Sequence, residues 1–135
     1  MDRLAESEEV LSKLTTNLQG LTGKDIDSLQ KLTTATKDSI KAIREYISGK
    51  PSDRQGLSRP PSINVMNTMQ EAQNYIMSKS VAPGAQEEQL VKNAEAMIAA
   101  AVKRINSFYA SQWNNYRSQV EHTKIDLFTD YKPID

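Results

Sequence analysis

Apolar residues recur at the three- and four-residue steps of an α-helix along almost the whole chain, and this pattern restricts the fold to one built from helices. The first stripe consists of Leu4, Leu11, Leu14, Leu18 and Leu21. Such a stripe is typical of one buried face of a helix. Gly20 follows in the manner of a left-handed C-terminal cap. We therefore expect a first helix over residues 3–19.

A second stripe begins after only a few residues. It consists of Ile26, Leu29, Leu32, Thr36, Ile40, Ile43 and Ile47. Gly49 and Pro51 end it, because proline cannot continue a helix. The pattern predicts a second helix over 23–48. Because the connection to the first helix is short, we expect the two to pack antiparallel.

Two further helices are predicted in the second half of the chain. Ser62 is well placed to cap a third helix over 63–80, which the sequence "VAPG" ends at residues 81–84. A fourth helix is expected over 85–121, a range without glycine or proline. At 1.5 Å per residue this helix would be about 50 Å long. Residues 122–135 are expected to form an irregular tail.

Residues 49–62 join the two pairs of predicted helices and contain three prolines and two glycines. If extended, this segment would span roughly 45 Å. We interpret it as a strap between two helical hairpins. A binding loop with Arg54 and Arg59 as its contacts is the alternative interpretation, and a disordered tether is a third.

Together these elements predict an all-α fold. We expect an antiparallel four-helix bundle of two helical hairpins joined by a long Pro-rich strap, with a long final helix and an irregular C-terminal tail. No paired strands are indicated by the pattern. A chain of 135 residues has the size of one domain, so a single bundle domain over 1–135 is expected.

Composition argues against several classes of function. The 17 basic and 17 acidic residues balance and are dispersed, so no nucleic-acid partner is expected. There is no cysteine, which excludes disulfides and thiolate metal sites. The best apolar run, "MIAAAV" at 97–102, is far shorter than the roughly 18 residues of a transmembrane segment, and none is expected. The acidic start "MDRLAESEEV" has no apolar core of a signal peptide.

No arrangement of catalytic residues is recognisable in the sequence. The single histidine, His122, has no glutamate three residues before it, so the Glu-x-x-His motif of di-iron bundles is absent. We expect His122 at the surface, with a zinc-binding or general-base role as the alternative. The chain also has no G-x-S-x-G motif. We therefore expect no enzyme activity, no cofactor, no metal and no small-molecule ligand.

Six of the eight aromatic residues lie in the C-terminal fifth of the chain. Tyr109, Trp113 and Tyr116 share one side of the fourth predicted helix. They either close the end of the bundle against the tail or form an exposed anchor patch, because Trp, Tyr and Arg are the commonest hot-spot residues. The predicted interaction residues are Tyr109, Trp113, Tyr116 and Arg117, with Arg54 and Arg59 of the strap.

The methionines form a second candidate surface. Met66, Met69 and Met77 belong to the third predicted helix, and Met97 belongs to the fourth. Methionine fills irregular cores, and it also lines adaptable binding grooves. Core packing is the first interpretation, and a groove for a partner is the alternative.

The order of several motifs resembles that of a known family. The segment "IREYISGK" is followed by "PPSI", by a helix broken at "APG", and by the long helix "EEQLVKNAEAMIAAAVKRINSFYASQWNNYRSQVE". This order resembles the helical C-terminal region that follows the β-propeller in bacterial sortilin-like proteins, which are often labelled Asp-box (BNR) repeat glycosyl hydrolases. No S-x-D-x-G-x-x-W box occurs in the chain, so no hydrolase residue carries over.

The resemblance implies an accessory domain of a larger exported protein, located in the periplasm or at the cell surface. The expected function is then a non-catalytic structural or protein-interaction module, whose partner is the parent propeller domain or another protein. The alternative is a free-standing intracellular adaptor or chaperone-like bundle in the cytoplasm. Such a bundle would bind a partner helix in a groove lined by the methionines.

Overall fold

The computed structural model of the chain describes residues 1–51, 62–78, 82 and 84–125. Within these ranges all regular secondary structure is helical and no strand occurs, which confirms the all-α class. The helices are α1 (Asp2–Leu18), α2 (Lys24–Ser48), α3 (Val65–Met77) and α4 (Ala85–Ser107), followed directly by a π-helix (Phe108–Trp113) and α5 (Asn114–His122).

Two predicted segments fall mainly outside the described residues. These are the strap over 49–62 and the tail over 122–135. Among the helices that the structure does describe, none is apolar over a length that could cross a bilayer.

Tertiary contacts divide the chain into two compact units. One comprises residues 1–37 together with those from 111 onwards, and the other comprises residues 38–110. The first unit contains α1, the beginning of α2, and α5. Its buried apolar side chains are those of Leu4, Leu11, Leu18, Ile26, Leu29 and Tyr116.

Polar contacts join α1 to α2 in the first unit. The side-chain amide of Gln30 donates a hydrogen bond to the carbonyl oxygen of Leu18 (3.1 Å). The ammonium group of Lys37 donates to the hydroxyl oxygen of Thr15 (2.8 Å). Each bond links residues from two helices that are separated by a connection of only five residues, 19–23. These contacts add to the apolar packing of α1 on α2.

Hydroxyl groups are buried in this unit without loss of hydrogen bonding. Ser7 and Thr33 are almost fully buried. Each donates its hydroxyl proton to the backbone carbonyl four residues earlier, at 2.9 Å for Ser7 and 2.7 Å for Thr33. Because a buried hydroxyl that lacks a partner costs about 1–3 kcal/mol, this local bond lets small polar residues lie on an apolar helix face.

The second unit contains the end of α2 together with α3 and α4. Its buried apolar side chains are those of Ile40, Ile43, Ile47, Val65, Ala72, Ala94, Ala101 and Phe108. Helices α3 and α4 pack against each other, and the hydroxyl of Thr68 donates a hydrogen bond to the sulfur of Met97 (3.2 Å). The guanidinium carbon of Arg104 lies 3.9 Å from the ring centroid of Tyr46, a cation–π contact between α4 and α2.

Helix α3 begins at Val65 and not at the residue after Ser62. The cap is Asn64, whose side-chain oxygen accepts a hydrogen bond from the backbone N–H of Asn67 (2.9 Å). Ser62 instead supports the cap, because its backbone and hydroxyl oxygens accept hydrogen bonds from the Asn64 side-chain amide at 3.1 and 3.0 Å. Asparagine is among the best N-cap residues, which explains the later start.

Two acidic residues, Glu87 and Glu88, lie in the first turn of α4. The carboxylate of Glu87 accepts a hydrogen bond from the backbone N–H of Gly84 (2.8 Å), so it reaches back over the first turn. Glu88 lies in the same turn and is exposed. Negative charge at this end of a helix is stabilising because the first N–H groups are positive.

Two glycines with positive φ differ in their surroundings. Gly20 has φ +86° and Gly49 has φ +84°, so both adopt the left-handed conformation that sequence analysis predicted for Gly20. A Cβ atom on Gly20 would meet no atom within 4 Å. On Gly49 it would lie 2.9 Å from the side-chain nitrogen of Asn64 and 3.0 Å from the hydroxyl of Ser62.

Alanine at these two glycines is expected to have unequal effects. Gly20→Ala should cost about 1–2 kcal/mol, because only the left-handed backbone disfavours it. Gly49→Ala should cost about 1 kcal/mol more, because the new methyl group displaces the Asn64 cap. Urea unfolding of both variants measures the difference. Equal losses of stability would show that the cap is not held against Gly49.

Candidate interaction groove

The predicted interaction residues lie in different parts of the molecule. Arg54 and Arg59 fall outside the described residues. Tyr109 belongs to the unit of residues 38–110, whereas Trp113, Tyr116 and Arg117 belong to the other unit.

Tyr116 is a core residue and not part of an exposed anchor patch. Only 1% of its surface is accessible. Its hydroxyl lies 3.0 Å from the hydroxyl of Thr33. Because Thr33 already donates its single proton to the carbonyl of Leu29, Tyr116 is the donor in this bond. Its side chain is therefore not accessible to a partner in this structure, which agrees with the packing interpretation of this aromatic residue.

Burial raises the pKa of Tyr116 above its ordinary value of 10.0, because the phenolate would lose its hydration. The folded state thus holds this proton more tightly than the unfolded state. The resulting contribution to stability is complete below pH 10 and is lost as the pH rises through the raised pKa.

We expect the stability of the protein to fall more steeply above pH 10 than that of the Tyr116→Phe variant, which cannot ionise at this position. Urea unfolding at several values between pH 8 and pH 11 measures this difference. The same pH dependence in both proteins would mean that Tyr116 ionises without a cost to the fold.

The remaining residues of the predicted patch are more accessible. Trp113 is half-buried, and its ring centroid lies 5.9 Å from that of Tyr116. Arg117 is exposed and forms an ion pair with Glu121 (2.7 Å) on the same helix. Tyr109 is half-buried and meets Phe108 edge-on at 5.2 Å between centroids. Arg117 is thus already paired within its helix.

An apolar groove runs between α3 and α4 in the second unit. It has a volume of about 360 Å³. Its lining residues are Met69, Ala72, Gln73, Ile76 and Met77 of α3, with Val91, Ala94, Glu95 and Ile98 of α4. Four large apolar side chains are exposed there, at 43% for Met69, 40% for Ile76, 75% for Met77 and 37% for Ile98. Exposed apolar side chains that are contiguous often mark an interaction site.

The arrangement of small and large residues shapes this groove. Ala72 of α3 and Ala94 of α4 are buried and form part of its lining. Because alanine has a short side chain, the floor of the groove lies close to the helix backbones at these positions. The result is a surface on which another helix could lie close to the backbones of α3 and α4.

The four methionines of the predicted second surface therefore have different environments. Met69 and Met77 line the groove. Met97 is half-buried and accepts the hydrogen bond from Thr68. Met66 is exposed and is not among the lining residues. Two of the four methionines thus line a groove, as the alternative interpretation of the sequence proposed.

A second, polar cleft lies in the first unit. Its volume is about 460 Å³, and it is lined by Asp25, Ser28, Leu29, Leu32, Asn115, Gln119, His122 and Thr123. His122 is exposed, as expected, and its Nδ1 lies 2.6 Å from the carbonyl oxygen of Ser118. Since a carbonyl can only accept, Nδ1 carries the proton and donates it.

The side chains that could bind a metal ion are scattered over the described residues. In these ranges no three side chains of His, Asp or Glu come together as the ligands of a metal ion would. The polar cleft contains one histidine and one carboxylate among its lining residues. The groove contains the single carboxylate of Glu95.

Comparisons with known proteins give no relative for this chain. No family model matches it, and neither a curated protein nor a solved structure matches it.

Proposed function

We propose that this chain is a non-catalytic helical interaction module that binds an amphipathic helix of a partner protein in the groove between α3 and α4. The observation that carries the proposal is the exposure of Met69, Ile76, Met77 and Ile98 along one groove. An amphipathic helix laid into such a groove removes the apolar surface of both partners from water.

Methionine suits this role because its unbranched side chain adapts to differently shaped partners. Met77 is the most exposed of the groove side chains. Its flexible thioether can follow the contour of a bound helix at little energetic cost. Ile76 and Ile98 provide stiffer walls, because branching at Cβ restricts their rotamers. The groove thus combines rigid and adaptable contacts.

The finer architecture is part of the proposal. We propose that α1–α2 and α3–α4 are antiparallel hairpins, and that the two hairpins form a four-helix bundle. Support comes from the short connection between α1 and α2, from the bond between Gln30 and Leu18, and from the packing of α3 on α4. The joining of the hairpins into one bundle is supported by the sequence pattern.

The biological context that we propose follows from the resemblance in the sequence. The module would be an accessory domain of a larger exported β-propeller protein, and its partner would be the parent propeller or another extracytoplasmic protein. A propeller encoded upstream in the same reading frame would support this context. A stop codon directly before Met1 would favour the free-standing intracellular adaptor.

The experiment that tests the groove is binding of a labelled amphipathic peptide to the protein and to its Ile76→Glu variant. Tyr75→Glu is the matched control. Tyr75 and Ile76 are adjacent in α3 and equally exposed, at 41% and 40%, but only Ile76 lines the groove. Binding that is lost in the first variant and kept in the second supports the proposal. Equal loss in both contradicts it.

A further inference from the structure

We propose that the partner helix is basic at the border of its apolar face, so that lysine or arginine residues pair with Glu95 at the edge of the groove. This inference rests on the proposed function, because it specifies the helix that the groove accepts. It follows from the charge and the length of the groove.

The charge of the groove comes from one residue. Glu95 is exposed and is the only charged residue among the described residues that line the groove. Gln73 is the polar residue contributed by α3, and the other lining side chains are apolar. The described part of the lining therefore carries one negative charge. A partner helix with basic residues beside its apolar face complements this charge, and one with acidic residues there is repelled.

A second carboxylate extends the acidic edge. Glu88 is exposed and precedes Glu95 by seven residues, which is two turns of α4 and therefore the same side of the helix. Lys92 lies between them along the chain but is not a lining residue. It can weaken the field of the two carboxylates without occupying the groove. Lys92 is a helical neighbour of both carboxylates, so these three residues of α4 together carry one net negative charge.

The length of the groove sets the length of the partner. The lining residues extend from Met69 to Met77 on α3 and from Val91 to Ile98 on α4. At 1.5 Å per residue these segments are roughly 10–12 Å long. A partner helix would cover this distance with about two turns. Its anchors would be three or four apolar residues at positions i, i+3 or i+4, and i+7.

A second copy of this chain fits the groove less well. A symmetric dimer through this surface would place the same patch on both sides of the interface. None of the described lining residues is basic, so none of them would supply a cation for the Glu95 of the other copy. Two acidic borders would instead approach each other. The charge of the groove therefore favours a different, basic partner.

The test uses two synthetic helical peptides with the same apolar face. Lysines flank this face in one peptide, and glutamates take their place in the other. Fluorescence anisotropy at low salt measures the binding of each peptide to the protein. We expect the lysine peptide to bind about three- to tenfold more tightly, because a surface ion pair is attractive in one case and repulsive in the other.

Charge reversal in the protein identifies the residue responsible. Glu95→Lys should reverse the preference between the two peptides. Glu71→Lys is the control, since Glu71 is an exposed glutamate of α3 that lines a different cleft, and its reversal changes the net charge equally. The preference should survive in this control. It should shrink in about 1 M salt, where charges are screened within about 3 Å.

Each other outcome overturns the inference in a recognisable way. If both peptides bind equally, or if Glu71→Lys also reverses the preference between them, the inference that the partner is basic is wrong. The proposed function of the groove is not affected by that result. If neither peptide binds, the proposed function of the groove is itself contradicted. A dimer that Ile76→Glu dissociates, or peptide binding only after residues 126–135 are deleted, would identify the occupant as a second copy or as the end of this chain.

Discussion

Replacement of Tyr116 by alanine is expected to lower the free energy of unfolding by about 3–5 kcal/mol. The side chain is buried, so its removal leaves a cavity among the residues that surround it. It also removes the hydroxyl group that donates a hydrogen bond to the hydroxyl of Thr33. Since the free energy of unfolding of a small protein is only about 5–15 kcal/mol, this loss should remove a large part of the stability. Urea unfolding followed by circular dichroism measures the loss.

Two other variants make this prediction specific. Tyr116→Phe keeps the ring and should cost only about 0.5–1.5 kcal/mol, the value of one hydrogen bond. Trp113→Ala should cost less than Tyr116→Ala even though tryptophan is larger, because Trp113 is only half-buried. If Trp113→Ala were the more damaging of the two, the assignment of Tyr116 to the core would be wrong.

Introduction of glutamate at Ile76 is expected to weaken binding of an amphipathic helix by about 30-fold or more. A residue at the centre of an interface commonly contributes about 2 kcal/mol or more, and each 1.4 kcal/mol changes affinity tenfold. The new carboxylate would have to be desolvated against the apolar face of the partner. Because Ile76 is exposed, the fold should be retained, and circular dichroism checks this.

Tyr75→Glu should change the affinity of the same peptide by about twofold or less, because surface changes outside an interface are usually worth about 0.5 kcal/mol or less. Ile98→Glu offers an independent check from the other wall of the groove, since Ile98 belongs to α4. It should weaken binding as Ile76→Glu does. If only one of the two variants, Ile76→Glu or Ile98→Glu, weakens binding, the peptide binds to a single helix and not in the groove.

The sequence pattern was sufficient to predict the helices. Leu4, Leu11 and Leu18 are buried on one side of α1, and Gly20 adopts the left-handed conformation that the end of the stripe suggested. The first residue of α3 was harder to predict. Ser62 and Asn64 are both good caps, and the choice between them depends on hydrogen bonds that only the folded chain reveals.

The π-helix between α4 and α5 could not be read from spacing alone. Buried residues recur every seven positions at Ala94, Ala101 and Phe108, as two α-helical turns require. The next buried residue is Tyr116, eight positions later. The wider turn of the π-helix accommodates the additional residue. A regular α-helix would instead place Gln112, four residues after Phe108, near the buried face, and this residue is exposed.

The sequence indicated the groove only as an alternative, because core packing was the first interpretation of the methionines. At about 100° per residue, the apolar residues from Val65 to Met77 cover an arc of roughly 140°. Packing against α4 buries Val65 and Ala72 on one part of this arc, and leaves Met69 and Met77 exposed on the other. The width of the arc was the available signal. It indicates surplus apolar surface, but which residues remain exposed depends on the packing of α4.

The most direct test of the groove is nuclear magnetic resonance of the methionine methyl groups during titration with the lysine-flanked peptide. The chain has five methionines, of which Met69 and Met77 line the groove and Met1 lies at the start of α1. We predict that the signals of Met69 and Met77 shift in a saturable manner while that of Met1 stays unchanged. Saturable binding that leaves Met69 and Met77 unaffected would contradict the proposal that the groove between α3 and α4 is the binding site.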